Sequence, residues 1–136
     1  MPEDAAPRPD EFADALRALA ASRATGNAPI DCRVPSPLAA PLPRETASAI
    51  HRICDEALVN AVRHAGARRI TVEVISREDR ILVRILDDGD GLDLEALHGS
   101  GMLRMDELAR AANGRLEVRS APRAGTCVSA TFPLAK

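Results

Sequence analysis

Tryptophan and tyrosine are absent from the 136 residues, and phenylalanine occurs twice. So few rings argue against stacking on single-stranded nucleic acid. Lysine is nearly missing as well: of 18 basic residues only Lys136 is lysine, a bias that reads as genome composition. The formal net charge of −2 leaves no global basic field, so direct nucleic-acid binding is not expected. The three cysteines, Cys32, Cys54 and Cys127, are far apart and form no CxxC pair. Neither a zinc site nor a disulfide framework is expected from them, and buried thiols in a reducing cytosol are the simpler reading. No apolar run approaches the ~20 residues of a membrane span. The acidic, Pro-rich start "MPEDAAPRPDE" is not a signal peptide. A cytoplasmic location without membrane contact is therefore expected.

What remains is a chain of one-domain length, able to bury about two-thirds of its unfolded surface and to fold without metal or disulfide. Residues 1–9 are expected to be a disordered extension and 10–136 a single domain. Asp10 is placed as the cap of a helix "EFADALRALAASR" with Phe12, Leu16 and Leu19 on one side. "IDCRV" alternates as a short edge strand, and "PSPLAAPLPRE" with four prolines is a loop. The longest helix signal is "RETASAIHRICDEALVNAVRHA", stopped by Gly66. Two strands joined by "REDR" follow, then an acidic Gly-rich stretch. After it come a helix "MLRMDELARAA" closed by Asn113-Gly114, and two last strands, "RLEVRS" and "TCVSATFPL". This order suits an α+β fold, a mostly antiparallel sheet covered on one face by helices. The strand "RILVRIL" is apolar on both faces and is placed centrally, with Asp87 at its end.

Three constellations carry polar chemistry. Glu56, Asn60 and His64 are spaced i, i+4, i+8 and form one slanting stripe on the long helix. A glutamate there can position or deprotonate an attacking group. A neutral amide oxygen suits Mg²⁺, which keeps most of its waters and phosphate ligands. His64 can reach a phosphate or Glu56. The alternative is a solvated polar face. The second constellation is "DDGDGLD", residues 87–93, with Gly89 and Gly91 permitting sharp turns and close approach to a ligand. An EF-hand calcium loop is excluded, because starting at Asp88 the sixth position is Asp93 and the twelfth is Gly99. A plain turn and a nucleotide contact stay open. The third is "HGSGMLRM", where Gly99 and Gly101 are expected to precede a helix whose free N–H groups favour phosphate. It is neither a Walker A nor a full GxGxxG.

Taken in order, an Asn helix, an Asp-x-Gly-x-Gly turn, a Gly-x-Gly helix start and Gly125-Thr126 before the last strand resemble the GHKL ATPase superfamily. The nearest likeness is to the catalytic ATP-binding domain of bacterial sensor histidine kinases. "DEALVNAVRHAGA" looks like the N box, "DDGDG" the G1 box, "GSGM" the G2 box. His64 four residues after Asn60, and a short lid, are similar to the subfamily paired with NarL/LuxR-type response regulators. The resemblance spans roughly residues 10–134 and implies a two-layer α/β sandwich of the Bergerat type that binds ATP with Mg²⁺. By this resemblance Asp87 contacts the adenine amine with Thr126 nearby, and Gly89 and Gly91 let the chain pass close to the nucleotide. Asn60 holds Mg²⁺, and Glu56 helps to activate the phosphoacceptor. Arg63 and His64 contact phosphates or the lid. Gly99, Gly101 and Met102 belong to the triphosphate end, and residues 92–100 are the lid.

Two positions depart from the pattern: Arg104 stands where the family usually has its second glycine, and Leu108 where an arginine is common. A phosphoacceptor helical hairpin is not evident; His51, His64 and His98 lie in the N-box helix and the lid. An excised domain, monomeric alone, is expected, working with the histidine phosphotransfer and dimerisation domain of the same kinase and a downstream DNA-binding response regulator. It would be the cytosolic part of a sensor, itself soluble or membrane-bound. The other readings are a stand-alone Ser/Thr kinase of the anti-sigma-factor type and a non-catalytic nucleotide-binding interaction module.

Overall fold

A computed structural model describes residues 9–26, 28–63, 67–89, 100–120 and 123–134. The first helix, α1, spans Pro9–Arg23. Proline suits a first helical position, where the missing N–H has no intrahelical partner to lose. Asp10, expected as the cap before the helix, therefore lies inside its first turn. Phe12, Ala13, Leu16 and Ala20 form the buried face of α1. The short strand β1, Ile30–Arg33, follows. The Pro-rich segment then leads into α2, Arg44–Arg63. Ile50, Ile53, Cys54, Ala57, Leu58 and Ala61 are buried on one side of α2, as the helical spacing predicts.

Strands β2, Ile70–Ser76, and β3, Arg80–Asp87, are antiparallel. Their turn is closed by Arg77 N–H donating to the Arg80 carbonyl at 2.9 Å. The helix α3, Ser100–Ala111, begins two residues earlier than expected, so Gly101 lies in its first turn instead of before it. The last strands are β4, Arg115–Ser120, and β5, Thr126–Pro133.

The sheet order is β1-β2-β3-β5-β4, with β1 at one edge and β3 in the middle. β1 pairs β2 in parallel and every other pairing is antiparallel. Along β3, Ile81, Val83 and Ile85 are buried while Leu82 and Leu86, on the opposite face, are half-buried. The same alternation in β2 and β5 puts the core on one face of the sheet, under the helices: α1 contacts β1, α2 contacts β2, β3 and β5, and α3 contacts β4 and β5. This is the expected two-layer α/β sandwich, with a mixed, mostly antiparallel sheet. Ile53, Leu58, Ile70, Met105 and Phe132 are wholly buried between the layers. Each such side chain stabilises the fold by about 1.5–3 kcal/mol relative to exposure.

α3 ends as Asn113-Gly114 predicts, but with the two roles divided. Asn113 takes the left-handed conformation (φ 62°). Its N–H donates to the Arg110 carbonyl at 3.0 Å, and Gly114 N–H donates to that of Ala109 at 2.7 Å. This paired pattern is a Schellman ending. Gly114 is needed for space, because a Cβ there would run into the Phe132 ring and stand 2.9 Å from the Thr131 carbonyl oxygen.

Candidate functional site

Strand register builds the site. Ile70, Asp87, Thr126 and Ser120 are successive cross-strand partners at one end of the sheet. By alternation all four face the helices. Asp87 is therefore the last residue of the central strand, at the margin of the core and half-buried. Burial pushes its carboxyl above the usual range, against the pull of main-chain hydrogen bonds from Gly89 and Thr126; neighbouring Asp88 adds to the rise. Gly89 N–H donates to Asp87 Oδ1 at 2.9 Å, which fixes the carboxylate's orientation.

Thr126 is buried. Its Oγ1 lies 2.9 Å from Ser120 Oγ, which also donates to the Gly125 carbonyl at 3.3 Å. Gly125 has φ 77°, and a Cβ on it would collide with the Asp87 carbonyl oxygen. Only glycine meets both demands. The Gly-Thr pair thus brings the start of β5 against the end of β3. A cavity of about 350 Å³ opens at these strand ends, lined by Leu86, Asp87, Ser120, Gly125, Thr126 and Cys127 among others.

Asp88 has a different part. It is exposed, and its Oδ1 accepts the Arg68 and Arg69 amides at 2.9 and 2.8 Å. Those hydrogen bonds, Arg69 first, hold its carboxyl below the ordinary value. Its own N–H donates to the Arg69 carbonyl at 3.2 Å. Asp88 thereby fastens the segment between α2 and β2 to the end of β3. Sequence reading missed this role, although alternation offered a signal: two consecutive acids at a strand end cannot both face the core.

On α2, Glu56 and Asn60 are both half-buried. Arg104 Nη1 donates to Glu56 Oε1 at 3.1 Å. The Glu56 side chain is 20% exposed and that of Arg104 62%. A Cβ on Gly101 would stand 3.4 Å from Glu56 Cδ, so the first turn of α3 lies on the Glu56 side chain. Met102 and Met105 are buried and anchor α3. The structure thus brings Asp87, Gly89 and Thr126 together at the sheet end, and Glu56, Gly101 and Arg104 together at the α2–α3 seam.

Arg63 closes α2, with its side chain outside the description; His64, Gly91 and Gly99 lie outside the described residues. So does the expected lid, apart from Ser100, which opens α3. Among the described residues no group of three or more His, Cys, Asp or Glu is placed to hold a metal ion.

Residues 45–136 match the family described as histidine kinase-, DNA gyrase B- and HSP90-like ATPase. The sensor protein VraS of Staphylococcus aureus (strain COL) is 33% identical over 97 residues, 70% of this chain and 28% of VraS. VraS of Staphylococcus saprophyticus is 31% identical over the same length. The chain therefore spans 28% of the length of these relatives. Among solved structures, the histidine kinase domain of the Erythrobacter litoralis EL346 blue-light activated histidine kinase superposes with a TM-score of 0.72. It is 22% identical, and the match covers 92% of this chain and 60% of that one. The ATP-binding domain of PrrB from Mycobacterium tuberculosis gives 0.70 at 21% identity, covering 92% of this chain and 95% of that one.

Proposed function

The chain belongs to the histidine kinase-, DNA gyrase B- and HSP90-like ATPase family, and on that premise we propose that it binds Mg²⁺ and ATP and passes the γ-phosphoryl group to a histidine on a separate dimerisation domain. The observation that carries the proposal is Asp87: a half-buried carboxylate at the end of the central strand, oriented by the Gly89 amide. An acceptor fixed at the core margin suits the exocyclic amine of adenine, and buried Thr126 supports it from the next strand.

Asn60 offers a neutral oxygen to the cation, and Glu56 stands on the same stripe of α2, where a carboxylate can orient the phosphoacceptor or take its proton. Bound Mg·ATP supplies the phosphoryl group and neutralises its charge, so the protein's share is positioning and electrostatics. Gly101, Met102 and Arg63, with His64, Gly89, Gly91 and Gly99, complete the nucleotide contacts in this reading. The partners are the histidine-bearing helical domain of the same kinase and, downstream, a response regulator of the NarL/LuxR type. The VraS sensor proteins, alike in sequence, are consistent with such a system.

Calorimetric titration with ADP, with and without Mg²⁺, tests the metal assignment. Asn60→Asp replaces a neutral ligand by a charged one and alters the coordination the site prefers. The expected result is that binding without Mg²⁺ persists while the gain produced by Mg²⁺ changes sharply. An unchanged Mg²⁺ dependence would remove Asn60 from the metal site.

A further inference from the structure

Two adjacent acids on α2 are each held by an arginine from a different helix. Asp55 Oδ1 is taken by Arg23 of α1, with Nε and Nη2 both at 2.8 Å. Glu56 Oε1 is taken by Arg104 of α3 at 3.1 Å. Asp55, Glu56 and Arg104 line one small cavity of about 210 Å³ with Arg52, Val59 and Leu108. The other Glu56 oxygen, Oε2, lies on the side of Gly101, 3.5 Å from where a Cβ would stand. One oxygen is thus engaged by a guanidinium, and the other lies beside Gly101, where no side chain crowds it.

We propose that Arg104 is a positioning residue: it holds Glu56 across the α2–α3 seam and so fixes the orientation in which the carboxylate meets the phosphoacceptor. This rests on the reading of Glu56 as the residue that activates the acceptor. A guanidinium is suited to the task, because its planar fork orients a carboxylate where an ammonium acts as a point charge. The pair also joins the start of α3, next to the segment expected to be the lid, to the helix that carries Asn60.

The test is phosphoryl transfer from γ-labelled ATP to a histidine-bearing helical hairpin domain supplied in trans, with ADP affinity and thermal midpoint measured in parallel. The Arg104 side of the pair is largely exposed, so Arg104→Ala should lower the transfer rate by about threefold to fivefold, with ADP affinity unchanged. Arg104→Lys should restore part of the loss. Should the alanine variant fail to fold, Arg104→Gln, which keeps much of the stem, has the same expected effect. In a Glu56→Gln background, Arg104→Ala should add no further loss, because the two residues act as a unit. The inference is overturned if Arg104→Ala leaves the rate unchanged or raises it while Glu56→Gln lowers it, or if the two losses simply add. Wild-type chain that transfers nothing, or a Glu56→Gln variant at full rate, overturns the underlying reading of the site and this inference with it.

Discussion

Asp87 and Asp88 are neighbours whose carboxyls shift in opposite directions, the first raised chiefly by burial, the second lowered chiefly by the Arg69 and Arg68 amides. The raised native-state value of Asp87 means that folding favours its protonated form. Its contribution to stability falls as pH rises from the ordinary carboxylate range through the raised value. Asp87→Asn removes that cost while keeping an oxygen that can accept the Gly89 amide. The nucleotide-free variant should therefore be at least as stable as the wild type at pH 7, with a flatter pH dependence on the acid side. ATP binding should weaken, and its preference over GTP should fall by about tenfold, since a hydrogen bond to a charged acceptor is worth roughly 1.5–3 kcal/mol. Thermal melts across pH and competition of ATP and GTP against a fluorescent nucleotide check both parts. A variant that loses stability but keeps its ATP preference would make Asp87 a turn former. Asp87 was legible in the sequence because it ends a strand apolar on both faces. Alternation turns Asp88 to the other face, but what it ties there was not legible, because its partners are main-chain amides outside the strand.

At the scale of elements, two glycines serve packing with different consequences. Gly125 touches the site, through its positive φ and the Asp87 carbonyl. Gly114 lies at the end of α3 against Phe132. Gly125→Ala forces a left-handed alanine, costing about 1–2 kcal/mol, and also displaces the end of β3 from the start of β5, so stability and nucleotide affinity should fall together. Gly114→Ala overpacks the core by about 1–3 kcal/mol and should lower the thermal midpoint with nucleotide affinity nearly intact. Denaturant titration and nucleotide binding on both variants test the contrast, and equal affinity losses would refute it. Periodicity identified α2, β2, β3 and β5 because each buries a continuous face. It placed the start of α3 two residues late, because Ser100 and Gly101 carry no apolar side chain and the periodic signal begins only at Met102. The division of labour between Asn113 and Gly114 depends on Phe132, eighteen residues further on, and is invisible in local sequence.

For the whole molecule, nucleotide binding and self-phosphorylation should come apart. Of the three histidines, His51 sits half-buried in the middle of α2, while His64 and His98 lie outside the described residues. None is expected to head a phosphoacceptor hairpin. The chain as given should gain thermal stability with Mg·ATP, by about 2.7 kcal/mol at a hundredfold excess over Kd, yet acquire no acid-labile phosphate on a denaturing gel. Labelling at the rate of a full kinase would contradict this. No described helix is long and apolar enough to cross a membrane.

The aspartate doublet has a consequence for insertions and deletions. β3 is locked to β5 by register, with Asp87 opposite Thr126. Deleting one aspartate from the gene would leave the protein with a carboxylate at that register position, because the survivor would take it. What would vanish is the acceptor of the Arg68 and Arg69 amides. The doublet is thus redundant as written text but not as structure. A lineage that lost one codon here would still place an acid at the end of the central strand, while the Arg68 and Arg69 amides lost their shared acceptor.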